Sequence, residues 1–226
     1  MDIYSVVDQR RSVRGFLADP VARDVIERVL SAACRAASGG NLQPWHLYVL
    51  TGDPLRALVE KIRSRLTTGS GPDAAEYEIY PPKLASPYRD RRFRVGEMLY
   101  ESLAIPRSDR AARERAMSRN FEFFGAPVGL FCYVDRTMGS AQWSDLGMYL
   151  QTVMLLLHAE GLGSCAQEAW SLHHRSVAEV VAPPEHLMLF CGMSIGYPDP
   201  DHPTAMLRAE RAPLTDVSTF LGFGEQ

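Results

Sequence analysis

The stretch from residue 141 to 160 constrains this chain more than any other. Leu146, Met148, Leu150, Val153, Met154, Leu155, Leu156 and Leu157 leave a helix there with hardly a polar face. A helix apolar nearly all round must be covered on most sides, by a core or by a second subunit. Gln151 and His158 interrupt it, and it is too short to span a bilayer, so no membrane partner is expected. Short apolar runs lie on either side, at 128–134 between Pro127 and Asp135 and at 187–195. Continuous apolar runs of that length suit buried central strands.

Around this frame the chain punctuates itself. Asp2 is a good N-cap for a short helix running to about Gln9. Pro20 reads as the start of a second helix, with Val25, Val29, Leu30 and Ala33 as its buried stripe and Ser38-Gly39-Gly40 as its end. A strand is expected over 46–50, and helices over 54–67, 93–105 and 108–122. Residues 68–92 break the pattern, with prolines and glycines interleaved with Tyr77, Tyr80 and Tyr88. A connection that long inside a compact domain reads as a lid. The last stretch, 213–226, forms a C-terminal arm carrying Phe220, Leu221 and Phe223 with no domain left to pack into. No repeat or linker divides the chain, and 226 residues suit one α+β domain over 1–226.

A net charge of −3 argues against a nucleic-acid partner. Four cysteines (34, 132, 165 and 191) form no C-x-x-C pair, and Cys132 and Cys191 fall inside the apolar runs. Buried free thiols fit a reducing compartment rather than a disulfide framework. The start, Met1-Asp2-Ile3-Tyr4, lacks the features of a signal peptide, so a cytoplasmic location is expected. His158, His173 and His174 lack a spaced acid or cysteine partner, and no metal site is expected. No Gly-x-Gly-x-x-Gly follows a strand, which disfavours a Rossmann dinucleotide site.

Two N-terminal clusters carry chemistry. Arg10, Arg11, Ser12 and Arg14 put three guanidiniums and a hydroxyl within five residues, a donor set that suits phosphate oxygens. Val13 and Phe16 interrupt the charges, as in an extended segment that alternates its faces. Ser38, Gly39 and Gly40 allow close backbone approach, and Asn41 and Gln43 add carboxamides that both donate and accept. Together they suit a ligand with a phosphate at one end and a flat, amide-edged ring at the other, as in flavin mononucleotide (FMN).

With these pieces the chain resembles the nitroreductase family of FMN-dependent NAD(P)H oxidoreductases. Two further segments carry the resemblance: Gly161 through Glu168, and Gly196-Tyr197-Pro198 followed by Leu207 through Leu214. The resemblance implies a mostly antiparallel central sheet wrapped by helices, in an intertwined homodimer with FMN at the interface. It places the phosphate at Arg10 and Ser12, with Arg11 in the same cluster, and Arg14 near the ring's N1–O2 edge. The Ser38 to Gln43 loop would reach the flavin of the other subunit. Backbone N–H groups around Ala166, Gln167 and Glu168 would meet N5, although Ala169-Trp170 follows this Glu where the family often has Gly. Arg211 would close the phosphate site, with Arg208 supplying a charge missing at Ala209. The implied reaction is ping-pong hydride transfer from NAD(P)H to nitroaromatics, quinones or related electrophiles. Tyr77, Tyr80, Tyr88, Phe121, Phe123 and Phe124 are candidates for shaping the substrate pocket, with ordinary packing as their other reading. Arg89, Arg91, Arg92 and Arg94 read as a solvated face, the alternative being the 2′-phosphate of NADPH. Relatives on this fold also oxidise, dehalogenate or break down flavin, and a non-catalytic flavin-binding protein would carry the same motifs.

Overall fold

The computed structural model describes residues 2–223. At its centre lies β2 (Val128–Asp135), buried along nearly its whole length as its apolar run predicts. It pairs antiparallel with β1 (His46–Thr51) on one side and β4 (Leu187–Gly196) on the other. β4 in turn pairs antiparallel with β3 (Gly163–Gln167), giving the order β1-β2-β4-β3. The expected antiparallel sheet is therefore present. β3 itself was not expected as a strand, because five residues beginning at a glycine carry little pattern and depend on β4 for their pairing.

The period of two along β2 distributes its side chains between two cores. Leu130, Cys132 and Val134 join α2 (Arg23–Ala33) and α6 (Ser140–Ala159) on one face. Phe131 and Tyr133 face α3 (Gly52–Thr67) and α7 (His174–Val181) on the other, around the fully buried Trp170. Trp170 lies so close to β4 that a Cβ on Gly192 would stand 2.3 Å from its ring. Only glycine permits that approach.

Several boundaries differ from expectation. α1 (Ile3–Gln9) is capped by Asp2 as expected, its carboxylate accepting from the N–H groups of Tyr4 and Ser5. α2 begins at Arg23 rather than Pro20, because Ala22 is still extended, and it stops well before Ser38. Its buried stripe is Ile26, Val29 and Ala33, with Val25 and Leu30 only half-buried. α4 (Tyr88–Ser102) starts early and takes Tyr88 and Arg92 out of the irregular segment. α5 (Arg110–Ser118) ends early, in a tight turn over Arg119–Gly125 where Phe123 and Phe124 take left-handed φ of 49° and 55°. The segment expected as a lid is also pinned at its front. The buried Asp73 carboxylate accepts from Arg65 Nη2 (3.1 Å) and the Arg175 N–H (3.0 Å), and the Tyr77 hydroxyl donates to the Phe190 carbonyl.

α6 buries Leu146, Leu150, Val153 and Leu157, but Met148 on its far side is 41% exposed. The expected arm is described as far as Phe223. It makes one short helix, α8 (Leu214–Val217), then leaves Phe220, Leu221 and Phe223 exposed. Residues 224–226 lie outside the described part. Among the described residues no helix is long and apolar enough to cross a membrane.

Candidate functional site

Past the end of α1 the chain runs extended along the outer edge of β3. The Val13 N–H donates to the Ser164 carbonyl at 3.0 Å, and Ser12 sits beside Ser164. Val13 packs over Gly163, where a Cβ would come within 2.7 Å. The segment is extended, but strict alternation of its faces does not hold: the adjacent Arg10, Arg11 and Ser12 line one cleft of about 440 Å³ together with Arg14, Arg208 and Arg211. Three of the cations are tied to the chain itself, Arg14 by donating to the Ser12 carbonyl at 3.2 Å. Arg208 donates to the Asp8 carbonyl (2.7 Å) and lies 3.6 Å from its carboxylate, while Arg211 donates to the carbonyls of Ala209 and Glu210. Among the described residues Arg10, Arg11, Arg14 and Arg211 form no ion pair. Burial, and after it the neighbouring charge of Arg211, pushes the Arg10 guanidinium below its ordinary pKa. The single acid of the lining, Asp8, lies beside Arg208, and like charges that converge without an acid of their own cost free energy until an anion arrives. This donor set fits a phosphate.

β3 contributes backbone. Because the Ser164 carbonyl turns outward to Val13, strand alternation turns the Ala166 N–H to the same open edge. Gln167 does not share that orientation. Its side chain is buried, donating from Nε2 to the Asn120 carbonyl (2.7 Å) and accepting from the Ser194 hydroxyl at Oε1 (2.6 Å). That makes it a structural clasp. Glu168 is exposed at the strand end, and partial desolvation raises its carboxyl pKa.

The Ser38 to Gln43 loop is built for shape. Gly40, Asn41 and Gln43 all have positive φ (56°, 58° and 50°). The Gly39 N–H donates to Asp145 Oδ1 at 3.2 Å and the Gln43 N–H to the Ser38 hydroxyl at 3.0 Å. The Gln43 carboxamide donates to the Asn41 carbonyl (3.2 Å), which leaves the Asn41 side chain as the exposed free group of the loop. Asp145 belongs to the N-terminal end of α6, whereas Arg10 and Arg11 share a second cleft with Met154 and His158 near its C-terminal end. The two ends lie about 20 Å apart along the helix. One chain does not bring the loop and the arginine cleft together.

A third cavity, about 290 Å³, adjoins Arg14. Its walls are largely apolar, from Leu99 on α4 and Leu103 just past its end, Ala116 and Met117 on α5, and Phe124 beyond it. Arg115, Arg119 and His202 also line it, with Tyr100, Asn120 and Thr204. Of the aromatic candidates only Phe124 lines this cavity. Phe123 is fully buried and stacks on Trp170 (4.5 Å between centroids), Phe121 packs edge-on against Trp170 and His173, and Tyr77 packs edge-on against Trp143. Tyr80 and Tyr88 are exposed outside it, Tyr80 beneath the Arg92 guanidinium. Arg89, Arg91 and Arg94 pair with Asp90, Asp216 and Glu210, so these arginines already have anionic partners. Sequence reasoning missed His202. A Cβ at Gly15 would stand 2.1 Å from its ring, a contact made across nearly the whole chain that no local signal announces.

An antiparallel sheet between two helical layers thus carries an arginine cleft along one edge strand, with a donor set that suits an anion, and an apolar pocket beside it. The sequence matches the Nitroreductase family over residues 7–197, and the chain belongs to that family. It is 39% identical to a 4-nitrobenzoate reductase of Nocardioides sp. (strain LMS-CY), covering 96% of this chain and 89% of the relative. The FMN and NADPH-dependent nitroreductase NfnB from Sphigopyxis sp. strain HMH superposes with a TM-score of 0.95 at 41% identity, over 99% of this chain and 100% of that one. The FMN-dependent nitroreductase NfnB from Mycobacterium smegmatis, solved with NADPH, gives a TM-score of 0.90 at 26% identity over 97% and 100%.

Proposed function

We propose that the protein is an FMN-dependent oxidoreductase that uses NAD(P)H to reduce nitroaromatics, quinones or related electrophilic acceptors. One observation carries this reading. Arg10 and Arg211, close enough to disturb each other and unpaired with any described acid, converge on a cleft at the outer edge of β3. A terminal phosphate relieves that repulsion, with Ser12 and Arg208 completing the clamp. When bound, FMN supplies the hydride chemistry, with NAD(P)H as donor and the electrophile as acceptor. The protein binds, orients and shields. Arg14, which borders both the cleft and the apolar pocket, sets a fixed positive charge where a reduced ring is anionic. The Ala166 N–H offers a preoriented donor on rigid backbone. Leu99, Leu103 and Phe124 keep the pocket dry.

The active form in this reading is a two-fold homodimer. Pairing two α6 helices antiparallel across the axis sets the Asn41 loop of one copy beside the arginine cleft of the other. It also covers Met148, and the exposed Ile3, Tyr4, Val7, Phe220 and Leu221 offer further apolar surface. Cys132, Cys165 and Cys191 are buried and free, which supports a reducing, cytoplasmic setting. The purified protein should carry FMN rather than FAD and bleach anaerobically with NADPH. It should then regain colour with a nitroaromatic and scatter light as a dimer. Tight FAD binding, or a flavin-loaded monomer at nanomolar concentration, would contradict the reading.

A further inference from the structure

The apolar pocket beside Arg14 has a lining whose charges are all of one sign. Its volume, about 290 Å³, is at the small end for a ligand site, with room for a single ring. Every charged group on its lining is basic, namely Arg14, Arg115 and Arg119, and the lining contains no Asp or Glu. The chain as a whole carries a net charge of −3, so a purely cationic rim is not its average surface. Arg14 also borders the cofactor cleft, whereas Arg115 and Arg119 do not. Neither forms an ion pair among the described residues. Their place near the C-terminal end of α5 gives a dipole reason for two cations there. It does not explain a lining without any acid. Arg119 is also oriented, since its Nη2 donates to the Phe124 carbonyl at 3.3 Å.

We infer that this pocket selects single-ring acceptors bearing an anionic substituent, a nitroaromatic carboxylate being the type, and that Arg115 and Arg119 determine this specificity. The inference rests on the FMN-dependent reading above. The reducible group belongs on the flavin side of the pocket, the side that Arg14 borders, and the ring lies against Leu99, Leu103 and Met117. The carboxylate is then left to guanidinium forks, whose planar donors match its two oxygens. In a pocket with low-dielectric walls the same charges concentrate anionic substrate at the mouth, an effect that salt weakens.

The test uses the FMN-loaded enzyme and compares 4-nitrobenzoate with methyl 4-nitrobenzoate and 4-nitrobenzamide. R115Q and R119Q should each lower kcat/KM for the carboxylate about tenfold, as expected for a lost charge-assisted contact. The two neutral acceptors should change less than about twofold, in line with lost long-range charge alone. R110Q, which alters net charge on α5 outside the pocket, should leave all three unchanged. Calorimetric binding of benzoate should weaken in R115Q and R119Q as turnover does, while benzamide binding should not. Equal losses for charged and neutral acceptors would overturn the inference. So would an effect confined to flavin reduction by NADPH and absent with NADH, which would assign these arginines to the co-substrate's phosphate. Wild-type enzyme that reduces all three acceptors without preference, and variants that keep that pattern, would overturn it and leave the flavoenzyme reading standing. A protein that neither retains FMN nor bleaches with NADPH would overturn both.

Discussion

Replacing Arg211 by Ala should move two measurements in opposite directions. In the flavin-free protein, Arg211 is an exposed cation that helps hold Arg10 below its ordinary pKa, second only to burial. Removing it relaxes a repulsion and deletes only hydrogen bonds to neighbouring backbone carbonyls. Flavin-free stability should therefore stay level or rise slightly. FMN affinity should fall. A hydrogen bond to a charged group contributes about 1.5–3 kcal/mol, and solvent access at Arg211 argues for the low end. The repulsion on Arg10 that FMN would otherwise relieve is already gone in the variant, which adds to that loss, so affinity should fall about tenfold or more in Kd, at least about 1.4 kcal/mol. Thermal unfolding of deflavinated protein and fluorescence titration with FMN give the two numbers, and raising salt should shrink the affinity gap. Unchanged affinity, or a clear drop in flavin-free stability, would show Arg211 to be a structural residue and refute the clamp.

Three further outcomes follow from the same structure. Arg14→Gln should slow flavin reduction by saturating NADH about a hundredfold, the low end for loss of a preoriented charge, and lower the midpoint potential with FMN affinity little changed; an unaltered potential would confine Arg14 to binding. Gly192→Ala should destabilise the fold by about 1–3 kcal/mol in urea titrations, because the new methyl meets the Trp170 ring at 2.3 Å; a variant as stable as wild type would mean that Trp170 has room to move. For Asp73, burial pushes the carboxyl pKa up, but the Arg175 N–H and Arg65 outweigh it, so the folded value lies below the ordinary one. Its stabilisation is therefore complete above the unfolded carboxylate range and is lost as pH falls through the folded pKa. The gap in urea midpoint between wild type and Asp73→Asn should be constant near neutrality and narrow below about pH 4; a gap that widens in acid would reverse the sign.

Patterns of short period were legible before any coordinates. The apolar runs at 128–134 and 187–195 announced two central strands, and residues 141–160 a helix needing cover, because burial on both sides leaves no polar alternation to disguise it. The Arg10 to Arg14 segment read as extended and donor-rich, and the structure lays it along β3 with its arginines in one cleft. Asp2 capped its helix as its side chain requires. These features are local, since the chemistry that decides each lies within a few residues.

What the sequence left open depended on partners far along the chain. β3 exists because β4 pairs with it, and the Gln167 side chain is held by Asn120 and Ser194. Phe123 and Phe124 are neighbours of identical composition, yet one is sealed against Trp170 and the other faces the pocket, a difference set by two left-handed residues in a turn. The cationic lining joins Arg14 to Arg115 and Arg119 across a hundred positions and more. Packing alone assembles it, because side chains so far apart in sequence meet only after the fold has brought α4, α5 and the N-terminal segment around one cavity.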